Sequence, residues 1–204
     1  MRPSDSRRRS WLGHCAALAA GLSPGLSKAA AQNSPSTAPP LAAQAAVPVE
    51  VRQALGEASS LRGRARLRML GFLIYDASLW VGERFNPERF WVEPFALELL
   101  YGRSLKGSSI AERSLDEMRR GGLLEAATAQ AWLSFMSQVF PDVQQGDRIT
   151  GTWDARQERA AFFVNGSATQ ALQDAEFGRR FFGIWLATHS SQPEMRRSLL
   201  GLSP

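Results

Sequence analysis

Arg62, Arg64, Arg66 and Arg68 alternate with Gly63, Ala65, Leu67 and Met69, and Asp76 follows in the apolar run FLIYDASLWV. A guanidinium presents a rigid fork that grips a carboxylate or phosphate through two parallel N–H···O bonds. A carboxylate facing that fork either holds it in place or competes for it. The chemistry these residue types suggest is therefore the capture of an anionic group, with Arg64 and Asp76 as the first candidates. The elements that must position them follow from the spacing. Period-two alternation marks a half-buried β-strand over 61–69. Residues 72–81, apolar on both faces, suit a second strand covered on both sides. Leu70-Gly71 supplies the turn. A hairpin closing near residue 70 sets Arg64 opposite Asp76, within reach of a cross-strand ion pair. The same pattern also reads as a solvated arginine face with one ordinary ion pair.

The remaining elements fall in order around this hairpin. Residues 49–52 alternate as a short opening strand, and residues 83–93, with Pro87 and Pro94 alongside, form a loop. Residues 95–103 read as a strand with Phe95, Leu97, Leu99, Tyr101 and Arg103 on one face. Ser109-Ile-Ala-Glu112 has the pattern of a capping box, opening a helix whose inner stripe is Ile110, Leu115 and Met118 and which stops at Gly121-Gly122. A second helix carries Leu124, Ala131, Trp132, Phe135, Met136 and Val139 at helical spacing. Strands return at 148–154 and 160–164, and Asn165-Gly166 is a hairpin turn, because both residues tolerate positive φ. Residues 174–187 form a helix apolar over most of its circumference. Ser191-Gln-Pro-Glu194 reads as a second capping box before a short last helix, with His189 in the loop ahead of it. Strands, a helical insert, then strands and helices define an α+β fold, a large antiparallel sheet with helices packed on one face.

Composition narrows the function classes. Residues 1–31 combine Arg7-Arg8-Arg9, an apolar stretch from Trp11 to Leu26 and Ala29-Ala30-Ala31, the pattern of an export signal cleaved near Ala31. Arg8-Arg9 also resembles a twin-arginine signal, and an ordinary secretory leader is the alternative. The expected destination is the periplasm or the exterior. The apolar stretch is far short of the roughly 20 residues a spanning helix needs, so no membrane span is expected. This leader holds five basic residues and one acid, +4 of the chain's formal +5, so the remainder is nearly neutral and nothing points to nucleic acid. Cys15 is the only cysteine, and beyond the leader His189 is the only histidine. Neither a disulfide nor a His/Cys metal site is expected. Residues 32–47, rich in Ala, Pro and Ser, read as a disordered linker. Residues 48–204 make one domain long enough to bury a core.

Taken together, RGRARLRMLGFLIYDASLWV, LELLYGRSLKGSSIAERSLDEM, FPDVQQGDRIT, FFVNG, FFGIWL and the closing SLLG resemble the bacterial chalcone isomerase-like family, in order and spacing across residues 48–202. The resemblance implies the chalcone isomerase fold, with a ligand cleft between the sheet and its helices and no cofactor. In the plant enzymes of that fold an arginine, a threonine, a lysine, a tyrosine and an asparagine line the cleft. Matched position by position, they fall on Arg64, Asp76, Tyr101, Ile110 and Glu117. Only the arginine is kept. Ile110 cannot donate a hydrogen bond, and Asp76 and Glu117 add negative charge where the plant reaction needs donors for a developing oxyanion. Chalcone closure is therefore not expected, and no catalytic residue is assigned.

Non-catalytic relatives of the fold bind fatty acids through an arginine and a tyrosine. The resemblance thus implies a domain that binds a small apolar or amphipathic molecule, of which a fatty-acid-like carboxylate is one form. Arg64 is the anchor, Tyr101 or Arg103 the second contact, and Asp76 a competitor for the guanidinium. Two alternatives stay open: an intramolecular lyase using other residues, and an interaction module whose cleft is filled by its own side chains.

Overall fold

Six strands, each pairing only with its neighbours in sequence, follow from the turn chemistry. In the computed structural model, which describes residues 46–202, β1 (Ser60–Met69), β2 (Phe72–Val81), β3 (Phe95–Tyr101), β4 (Arg148–Asp154), β5 (Arg159–Val164) and β6 (Ser167–Gln173) form one antiparallel sheet in the order 1-2-3-4-5-6. The expected leader (1–31) and all but the last two residues of the linker lie outside the described residues. Leu70 (φ 50°) with Gly71 (φ 83°), and Asn165 (φ 51°) with Gly166 (φ 85°), take the double positive-φ form of the tight hairpin turn. Between β3 and β4 the chain inserts α2 (Gly107–Met118) and α3 (Ala126–Val139). After β6 come α4 (Ala175–Leu186) and α5 (Pro193–Leu200).

The hairpin register differs from the expected one. The turn pairs Met69 with Phe72, and a register shift between Leu67 and Arg68 carries the ladder one residue further. Asp76 therefore meets Arg66, and Arg64 meets Ser78. Turn position alone does not report such an irregularity, which changes the partner while leaving the face unchanged.

Three other expectations are corrected. Residues 49–52 are not a strand but the start of α1 (Val49–Leu55), which ends at Gly56 with φ 83°. Four alternating residues also fit the helical spacing of Val47, Val51 and Leu55, and it is that stripe which packs on Trp80 and Ala96. This puts α1 on the sheet face opposite the other helices, so helices flank both faces instead of one. Neither capping box forms. Helix α2 starts three residues earlier than expected, with Lys106 as its cap, and Asp142 from beyond α3 accepts the Gly107 amide at 3.0 Å. Helix α5 starts at Pro193 after Gln192, with no side-chain cap. Residues 87–92, read as loop, make a 3-10 turn whose start is capped by Asn86.

The main core lies between the sheet and α2–α5. Helix α4 has Phe177, Phe181 and Phe182 buried; Phe182 meets Phe95 and Phe181 meets Phe162 edge-to-face, while Phe140 stacks on Phe181. Two glycines set how closely the layers approach. A side chain at Gly63 would run into the Ser198 carbonyl of α5, and one at Gly178 into the Trp153 ring.

Candidate functional site

Antiparallel pairing sorts the sheet residues onto two faces, because residues directly opposite point the same way. Leu67, Tyr75 and Tyr101 form one transverse row, as do Ala65, Ala77 and Leu99, and these face the helical layer. Arg66 with Asp76, and Arg64 with Ser78 and Glu98, belong to the opposite face, the one α1 covers.

That α1 face is polar at its centre. Glu50, only 1% exposed, accepts from Arg148 Nη2 and from Thr150 Oγ1, each at 2.9 Å. Glu98 accepts from Trp80 Nε1 at 3.3 Å, and burial pushes its carboxyl above the usual range against the pull of Arg148 and Arg64. Arg66 pairs with Asp76 through two hydrogen bonds of 2.6 and 2.9 Å at the half-exposed end of this face. Each acid has a basic or indole partner of its own, with Glu50 Oε2 and Arg148 Nε buried without a hydrogen bond, and this face reads as a set of charge pairs that seats α1.

The helix-side face carries a different group. Tyr75 and Tyr101 meet edge-to-face with ring centroids 6.0 Å apart. Trp185 of α4 donates its Nε1–H to the Tyr75 hydroxyl at 3.0 Å, which leaves the tyrosine proton free to donate onward. Burial pushes the Tyr75 phenol up to about 12, with the Trp185 hydrogen bond opposing and the nearby Glu117 and Arg113 adding smaller effects of opposite sign. Tyr101 is 3% exposed, its pKa is raised by burial, and among the described residues no group hydrogen-bonds its hydroxyl.

Helix α2 supplies the charged part. Glu117 is 7% exposed and ion-pairs through Oε1 with Arg113, one turn earlier. Its Oε2 is buried and accepts no hydrogen bond; Arg120 Nε stands 3.6 Å away, within ion-pair range but too far for a hydrogen bond. His189 approaches the same end of α2, beside Gly121, and burial together with Arg120 and Arg180 lowers its pKa, so its neutral form prevails at neutral pH. Among the described residues no three His, Cys, Asp or Glu side chains gather as metal ligands would. Tyr75, Tyr101 and Glu117 bring hydroxyl donors and a carboxylate acceptor to this part of the interior, with Glu117 near enough to act on the Tyr75 phenol. The arrangement places no donor pair against a developing oxyanion other than the two phenols.

Of the residues expected to form one site, Arg64 and Asp76 share the α1 face but are not partners. Tyr101 lies on the other side of the sheet. Arg103, past the end of β3, is not on the shared strand face expected for it, and its guanidinium stacks 5.4 Å above the Phe72 ring at the hairpin tip. The structure does not bring the four together. Tyr75, Arg113 and Trp185 were missed, although two signals pointed to them. Alternation puts Tyr75 on the face opposite Asp76, and Arg113-x-x-x-Glu117-x-x-Arg120 is an ion-pair spacing along one side of a helix.

A six-stranded antiparallel sheet with helices packed over a polar-ended core is the architecture of a chalcone isomerase-type domain. Residues 44–201 match the chalcone isomerase-like family, and the chain belongs to it. Over 108 residues it is 31% identical to an uncharacterized protein of Haemophilus influenzae; the match covers 53% of this chain and 52% of that protein, so the chain aligns with about half the length of this relative. In three dimensions it is similar to the crystal structure of an Arabidopsis thaliana fatty-acid binding protein, with a TM-score of 0.57 and 12% identity over 72% of this chain and 89% of that one. At that identity the likeness speaks for the fold. No described helix is long and apolar enough to cross a membrane.

Proposed function

We propose that this domain binds a small apolar or amphipathic molecule between its sheet and helical layer, without turning it over, and that the chain is exported before it does so. The observation that carries the binding reading is the polar cluster of Tyr75, Tyr101 and Glu117 at one end of an otherwise apolar interior. A buried polar atom without a partner, as Glu117 Oε2 is, costs about 1–3 kcal/mol, and a ligand's polar end would offset that cost. The Arabidopsis protein of the same fold, which binds fatty acids, supports the reading by analogy. The filled-cleft alternative draws on the phenylalanine cluster, which closes the core beneath α4. The lyase alternative has less behind it: Ile110 brings no donor, and Glu117 brings negative charge.

Native mass spectrometry of protein taken from the periplasmic fraction tests both parts. The expected species starts close to Gln32 and carries a small noncovalent adduct. An intact chain from Met1 in the cytosol overturns export. A bare protein that also takes up no medium-chain fatty acid or alcohol overturns the binding reading.

A further inference from the structure

We propose that the polar end of this site receives an uncharged hydroxyl head group, such as that of a medium-chain alcohol, in preference to a carboxylate. The inference rests on the binding reading above and concerns the chemistry of the head group alone. It starts from which hydrogen-bonding positions the cluster leaves open. Trp185 already donates to the Tyr75 oxygen, so Tyr75 offers its proton. Tyr101 offers a hydroxyl with no partner among the described residues. Glu117 Oε2 is a buried acceptor with no hydrogen bond. A head group that satisfies this set must accept from a phenol and donate to a carboxylate. A hydroxyl does both with one atom, whereas a carboxylate has no proton to give.

Charge points the same way. Arg113, whose charge acts on the Tyr75 phenol, is already paired with Glu117 on its own helix. A second carboxylate would have to take Arg113 from Glu117 and leave Glu117 buried without its counter-ion, or else sit beside an intact anion. Both are unfavourable in an enclosed site. Arg120, 3.6 Å from Glu117 Oε2, is drawn to the same carboxylate. The arginine that could serve a carboxylate from β1, Arg64, is on the far side of the sheet. The charged and titratable groups at the cluster are thus Arg113, Arg120 and Glu117, with His189 and Arg180 at its edge. Glu117 acts as the head-group selector and Arg113 as the residue that holds it in place.

Isothermal titration of the domain with 1-decanol and with decanoate at neutral pH, on wild type, Glu117→Gln and Tyr101→Phe, tests this. Wild type is expected to bind decanol at least tenfold more tightly than decanoate. Glu117→Gln, which keeps the side-chain volume and releases Arg113, should tighten decanoate binding and narrow or invert that preference. Tyr101→Phe should weaken decanol by about two- to tenfold, the loss of one hydrogen bond. Equal or tighter binding of decanoate by wild type overturns the head-group assignment and leaves the binding reading standing. A preference unchanged in Glu117→Gln removes Glu117 from the selecting role. Binding of neither probe overturns this inference and the binding reading together.

Discussion

Arg66, not Arg64, holds Asp76, and the difference changes what each of these side chains can do. The pair is about a third exposed on each side, 35% for Arg66 and 32% for Asp76, and lies on the face covered by α1. Exposed pairs of this kind contribute about 0.2–1 kcal/mol. Asp76→Asn should therefore lower stability by no more than that, and should leave affinity for either decanol or decanoate unchanged. Chemical denaturation alongside the same titrations checks both halves. A gain in decanoate affinity would restore Asp76 as a guard on an arginine anchor. At this scale the sequence was only partly legible. Residue types and faces follow from alternation, but the register shift between Leu67 and Arg68 leaves no mark in residue type. Nor does the sequence reveal which tyrosine proton is left without an acceptor; that depends on Trp185, 110 positions away from Tyr75.

Helix α2 shows how a remote residue replaces a local signal. Ser109-x-x-Glu112 has the right types for a capping box, yet the helix begins at Gly107 because Asp142 caps it from outside while also pairing with Lys106 at 2.6 Å. Those two partners, Lys106 first and the Gly107 amide second, hold the Asp142 carboxyl below its ordinary 3.8. A carboxyl whose folded pKa is depressed stabilises the fold above its unfolded value, and that contribution is lost as pH falls through the depressed one. Asp142→Asn should accordingly lower the melting temperature at pH 7, and the gap from wild type should close as the pH drops below 3.8. Thermal melts across that range decide it, and a gap that persists in acid would mean the cap works through geometry alone. The first five strands and the long helices were legible because their periodicity extends over six or more residues, whereas β6 was signalled only by the Asn165-Gly166 turn before it. Helix α1 was not legible, since VEVR fits a strand or a helix equally, and what selects the helix is remote in sequence: the packing of Val51 on Trp80 and Ala96 and the Glu50 bonds to Arg148 and Thr150.

The whole domain was more legible than its parts. The order of hairpin, strand, two helices, hairpin and two helices specifies an antiparallel meander with a helical roof, and each tight turn is marked by its own residues. What sequence order cannot show is that a buried sheet has two functional sides. Here one side seats α1 through charge pairs, and the other ends in the Tyr75, Tyr101 and Glu117 cluster. The central claim is that a ligand enters on the second side. The indole protons report the two sides separately, because Trp80 donates to Glu98 beneath α1 while Trp185 donates to Tyr75. A two-dimensional NMR titration of 15N-labelled domain with 1-decanol, observing the assigned indole signals, tests the claim most directly. The account predicts a saturable shift of the Trp185 signal with the Trp80 signal unmoved. A shift of Trp80 with Trp185 unmoved, or no saturable shift of either, would contradict it.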